Sequence, residues 1–191
     1  MKRKIVLAGV GAAFAVLADP ALAHTGAGHA DGFSAGFIHP IFGLDHLLAM
    51  VSVGIWSALV APRRVWIAPV AFVAAMVAGA SLAFLGVPLP GVESMIAASV
   101  MALGLMIFIG ARLPRMAGVA LCGLFAMFHG HAHASEATGA VLAYIGGFSI
   151  ATAAIHVAGI GIGRAILGSS WLRYAIGVAV AGAGASFVLG A

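Results

Sequence analysis

The sequence predicts an all-α integral membrane protein: six transmembrane helices behind a cleaved signal peptide, with a 3+3 inverted repeat as the expected internal plan. Composition is the first observation behind that expectation. Of 191 residues, 63% are hydrophobic and 7% charged, and mean hydropathy is +1.18, whereas soluble domains carry about 25% charged residues. The second is length. Apolar runs recur at about the 20 residues needed to cross a bilayer core of roughly 30 Å. The third is that the breaks between runs are short and rich in Pro, Gly or Arg.

Residues 1–23 carry the three parts of a secretory signal, with Lys2-Arg3-Lys4, an apolar core from Ile5 to Ala18 and the small-residue site Ala21-Leu22-Ala23. Cleavage after Ala23 exposes His24 and a Gly-rich periplasmic arm over residues 24–36. There His24, His29 and Asp31 offer a metal-collecting role against the plainer one of a solvated leader. Both lysines, Lys2 and Lys4, leave with the signal. The remainder cannot form a P-loop, which requires Lys, and direct ATP hydrolysis is not expected.

The membrane domain, residues 37–191, divides into spans at about 37–60, 65–86, 92–110, 115–133, 138–162 and 171–190. Arg63, Arg64, Arg112, Arg115, Arg164 and Arg173 all fall in the first, third and fifth breaks, and the second and fourth breaks hold no Lys or Arg. The positive-inside rule then puts both mature termini on the outer face, the periplasmic one for the bacterial inner membrane that is the expected location. Arginines scattered over short loops form no basic stripe, so the expected partner of this surface is lipid and not nucleic acid. Small residues four apart, Gly79 with Ala83, Gly159 with Gly163 and Gly182 with Ser186, predict close helix contacts. The same pattern also suits a homo-oligomer surface.

Ionisable groups inside this apolar frame carry the chemistry, because each costs about 2.5–3.5 kcal/mol at a helix centre. The first span opens His39-Pro40-Ile41-Phe42-Gly43-Leu44-Asp45-His46. On one continuous helix, His39, His46 and Met50 share a stripe, His46 lies about 10 Å deeper than His39, and Asp45 is rotated about 100° away. Pro40 is expected in the first helical turn, where its missing N–H is harmless. The fourth span ends Phe128-His129-Gly130-His131-Ala132-His133-Ala134-Ser135-Glu136, which puts His129, His133 and Glu136 on one face and turns His131 elsewhere.

Both clusters sit in the outer half, and His39, Asp45, His46, His129, His133 and Glu136 together suit borderline divalent ions such as nickel, cobalt or zinc. Such an ion is cargo here, and no resident cofactor is expected. Other candidates have plainer readings. His156 is expected to hydrogen-bond a neighbouring helix, with an inner way-station for the ion as the alternative. Glu93 favours a helix N-terminus. The single cysteine, Cys122, rules out an internal disulfide and reads as a small buried hydrophobe, and Met95, Met101, Met106 and Met116 read as packing.

On these two signatures, with Leu47-Leu48-Ala49-Met50 and then Gly54 and Trp56 following the first, the chain resembles the HupE/UreJ family of hydrogenase- and urease-accessory membrane proteins, regarded as nickel or cobalt permeases. The resemblance implies that His39, Asp45 and His46 contact metal and that the segment from His129 through His131 and His133 to Glu136 is the second ligand region. It also implies hydrogenase or urease maturation proteins as downstream partners.

The expected function is secondary inward transport of a divalent metal ion. Two charges falling through about 100 mV release roughly 4.6 kcal/mol, more than a thousandfold in concentration. Since imidazole ligates only when neutral, uptake is expected to weaken below about pH 6.5. The alternative is a membrane receptor or metallochaperone that binds the ion outside without carrying it across. Enzyme readings are set aside, because the chain has no HExxH and its His spacing does not suit haems stacked in a bundle.

Overall fold

The computed structural model describes residues 32–110 and 113–190. The expected signal peptide and the arm residues His24, His29 and Asp31 lie outside them. Seven helices follow in order: α1 (Gly32–Phe42), α2 (Leu44–Val60), α3 (Ile67–Phe84), α4 (Val92–Ile109), α5 (Arg115–Ser135), α6 (Val141–Ile166) and α7 (Ser170–Gly190). Among the described residues there is no strand. Residues 32–36, expected in the arm, already belong to α1.

Four helices, α3, α4, α6 and α7, are long and apolar enough to cross a membrane, and α1 with α2 makes a fifth if the bent pair is one span. The other long helix, α5, has 21 residues but is diluted by His129, His131 and His133. Large apolar side chains such as Val70, Leu105, Leu142 and Leu189 point outward, as befits a surface solvated by lipid. The interior is built on Trp56, Phe72, Met50, Met76, Leu103, Ile107 and Phe148.

The first span departs from the expected straight helix. α1 and α2 meet at 78°, and Gly43 between them is extended, with φ −74° and ψ 106°. The cause is local. Pro40 lies in the last turn of α1, not in a first turn, where it withholds a hydrogen bond from the Gly36 carbonyl and crowds it. Gly43 then ends the helix. The break is short: the Gly43 N–H still donates to the His39 carbonyl (3.1 Å), and the Leu47 N–H donates to the Gly43 carbonyl (2.8 Å).

Glycines set how the helices lie together, because a missing Cβ lets backbones touch. Gly123 faces Ala75 and Gly79 faces the Met127 backbone, so α3 and α5 run parallel. Gly159 meets Val51 and Gly163 meets Ile55, so α2 and α6 also run parallel. In contrast α4 and α7 are antiparallel, with Gly104 on Ala181, Gly177 on Phe108 and Gly184 on Met101. The expected pair Gly182 and Ser186 is no packing contact. A Cβ on Gly182 would meet nothing within 4 Å, Ser186 is exposed, and α7 packs through Gly177 and Gly184 instead. Met116, read as packing, is 67% exposed, whereas Met106 is buried.

These directions put the starts of α3, α5 and α7 and the ends of α2, α4 and α6 at one end of the bundle. Arg63, Arg64, Arg115, Arg164 and Arg173 are all there. Asp45, Glu93 and Glu136 are at the opposite end, with Glu93 in the first turn of α4 as expected.

Candidate metal centre

The break at Gly43 turns α1 across the start of α2 at 78°, so that His39 and His46 are neighbours and not two turns apart on one rod. Their ring centroids are 5.5 Å apart. α5 delivers the rest of the cluster, because it stays helical through Ser135 and keeps His129 and His133 on one face. His133 lies 4.7 Å from His39 and 4.7 Å from His46, and His129 lies 4.7 Å from His46. One nitrogen each from His39, His46 and His133 falls within 4.8 Å of the others. Drawing three nitrogens onto one ion at about 2.1 Å takes only a modest inward shift.

The hydrogen bonds orient the rings. Asp45 Oδ1 accepts from the His46 Nδ1–H at 2.8 Å and from the His46 backbone N–H at 2.7 Å, which leaves the lone pair of His46 on Nε2. A carboxylate behind an imidazole in this way fixes its tautomer and raises its basicity towards a metal. His129 is fixed by a hydroxyl. Ser99 Oγ donates its proton to the Ile96 carbonyl (2.6 Å), so at 2.9 Å from His129 Nε2 it accepts, leaving the lone pair on Nδ1. His133 stacks on Phe148, with centroids 4.9 Å apart and planes at 10°. His39 Nδ1 lies 3.4 Å from Glu136 Oε2 at the rim, where Glu136 caps α5.

His46, His129 and His133 are buried, the last two fully. His46 Nε2, His129 Nδ1 and both nitrogens of His133 have no hydrogen-bond partner among the described residues. Buried polar atoms are nearly always partnered, and each exception calls for a reason. Convergent imidazole lone pairs with carboxylates behind them are a donor set for a borderline transition-metal ion.

The chain matches the family model described as HupE / UreJ protein over residues 12–187. It is 43% identical over 185 residues to Protein HupE of Rhizobium leguminosarum bv. viciae, covering 92% of this chain and 95% of that protein. The chain belongs to the HupE/UreJ family. No solved structure matches it.

Of the seven residues expected at the HupE/UreJ site, the fold brings together His39, Asp45, His46, His129, His133 and Glu136. His131 stands apart, its Nε2 donating to the Val87 carbonyl (3.0 Å) in the α3–α4 connection. Three supporting residues escaped the sequence reading: Ser99, Phe148 and Phe72, whose ring lies 5.8 Å from His129. All three are contributed by other helices, and nothing local in the sequence marks them.

His156 also differs from expectation. It is fully buried on α6, yet neither ring nitrogen has a hydrogen-bond partner among the described residues. Its ring stands perpendicular to that of Phe72, with centroids 5.2 Å apart. Cys122 is buried, as its plain reading required.

Proposed function

We propose that this protein is a secondary permease carrying a divalent transition-metal ion, nickel foremost and cobalt next, inward across the bacterial inner membrane to supply hydrogenase or urease maturation. The observation that carries the reading is the convergence of the His39, His46 and His133 nitrogens within 4.8 Å, backed by Asp45 and enclosed by apolar helices. Oxygen-seeking Mg²⁺ and Ca²⁺ are poor matches for such a set. Counting α1 with α2 as one span and α5 as another gives six, and arginines at a single end favour periplasmic termini under the positive-inside rule.

An inverted repeat fits the helix contacts, with α1–α4 and α5–α7 as the halves. Gly79 meets Met127 as Gly159 meets Val51. Gly130 meets Met76 as Gly54 meets His156, and Gly104 meets Ala181 as Gly184 meets Met101. Each pair becomes the other when the halves exchange, as a two-fold axis in the membrane plane requires. The exchange sets His46 against Cys122, His129 against Val53 and His133 against Ser57. The inner counterpart of the site is therefore poor in metal donors, which favours release on that side.

A receptor or metallochaperone is the second reading, and the placement of every carboxylate among the described residues and most imidazoles at one end favours it. Radioactive nickel uptake into proteoliposomes with an inside-negative potential separates the two. The wild type is expected to accumulate nickel, cobalt to compete, and His46→Ala to lower the initial rate at least tenfold. A wild type that binds nickel without accumulating it would replace the permease with the receptor.

A further inference from the structure

Below the histidine cluster lies a second group of metal-competent side chains that the outer site leaves unexplained. His46 and Met50 are one turn apart on α2, and Phe148, Thr152 and His156 descend one face of α6 at four-residue intervals. Since Phe148 stacks on His133, that face leads inward from the outer site. Thr152 Oγ1 lies 3.3 Å from Met50 Sδ and 3.7 Å from Met76 Sδ, so two thioethers from α2 and α3 meet one hydroxyl from α6. Met50, Met76, Thr152 and His156 are all fully buried. His156 follows Thr152 by one turn, and both its nitrogens lack a hydrogen-bond partner among the described residues. Phe72 lies between the two levels, 5.8 Å from His129 and 5.2 Å from His156.

We infer that Met50 Sδ, Met76 Sδ, Thr152 Oγ1 and His156 form an inner station for a borderline-soft divalent ion, visited after the ion leaves the histidine cluster. Packing alone explains the methionines but not an imidazole buried with both nitrogens unpartnered, a burial that an apolar side chain of similar size would achieve without the desolvation cost. Thioether and imidazole are donors for softer transition ions and offer hard ones no oxygen cage. The set is entirely neutral, whereas the outer cluster is backed by Asp45 and Glu136. An ion held without carboxylate is held more weakly, and conduction needs sites that bind well enough to be entered and weakly enough to be left. Met76 and His156 each lay a carbonyl on a glycine of a neighbouring helix, Gly130 and Gly54, in the matching places of the two halves. The Thr152–Met76 and Phe72–His156 contacts likewise become each other on exchange, so this crossing of α3 and α6 lies near the axis that both faces of an inverted-repeat carrier share.

This station rests on the permease reading for its role but not for its existence, and two measurements on the full-length protein keep them apart. Equilibrium dialysis against radioactive cobalt counts bound ions, and X-ray absorption at the cobalt edge reports sulfur neighbours. The wild type is expected to bind a second ion at least tenfold more weakly than the first, with sulfur scattering at high occupancy. A Met50→Leu/Met76→Leu double variant and, separately, His156→Leu should lose that second ion and keep the first. Retention of the first shows that the variant is folded. Uptake by either variant should fall at least tenfold in maximal rate with little change in half-saturating concentration. A wild type that binds one ion only, or a second ion indifferent to these substitutions, overturns the station even if uptake is intact. Cobalt bound at both levels without uptake by the wild type upholds the station and defeats the permease.

Discussion

Asp45 acts through His46. Its Oδ1 receives both the backbone N–H and the ring Nδ1–H of the next residue, so the carboxylate sets which nitrogen is free to ligate and which way it points. Asp45→Asn keeps the shape but removes the charge and the obligate acceptor. Nickel affinity of the outer site is expected to fall about 10–100-fold, the usual cost of losing such a partner, read by equilibrium dialysis. His131→Ala, at a ring that points away from the cluster and donates to the Val87 carbonyl, serves as the control and should leave affinity unchanged. Gly43 belongs to the same arrangement for a steric reason. A Cβ there would stand 3.3 Å from both Asp45 Oδ1 and His46 Nδ1, and its φ of −74° is open to any residue.

Helix positions were legible in the sequence because bilayer thickness dictates the length of apolar runs. The second to sixth runs each became one helix within a few residues of the expected ends. The first did not, since its apolar character is continuous across Gly43 while its backbone is not. The local signal was present in Pro40 followed by Gly43, but an apolar run does not report a bend. The clustered residues His39, Asp45, His46, His129, His133 and Glu136 were legible as polar groups in an apolar frame. Ser99 was not, because its link to His129 depends on how α4 packs against α5. Helix contacts also carry a stability test. A Cβ on Gly130 would run into the Met76 backbone, which cannot retreat as a flexible side chain can. Gly130→Ala should destabilise the protein by about 1–3 kcal/mol, the usual range for overpacking, seen as a lower melting temperature in detergent.

At the scale of the whole molecule, the proposed six-span topology has a direct readout. In a Cys122→Ala background, a membrane-impermeant thiol reagent should label Pro88→Cys in intact spheroplasts and Arg64→Cys only after permeabilisation. The reverse pattern would turn the transport direction over with the topology. Charge follows the same division. All three carboxylates among the described residues, Asp45, Glu93 and Glu136, lie at one end, and all five described guanidiniums lie at the other. The described helices thus form a fixed electric dipole along the bundle. Its negative pole gathers cations from a dilute solution over about a Debye length, roughly 10 Å at 0.1 M salt, before any imidazole is touched. Under the permease proposal its positive pole would repel the same cation once past the exit and hasten its departure. Capture at the mouth is then sensitive to ionic strength, while the grip of the buried histidines, shielded from mobile ions, is not.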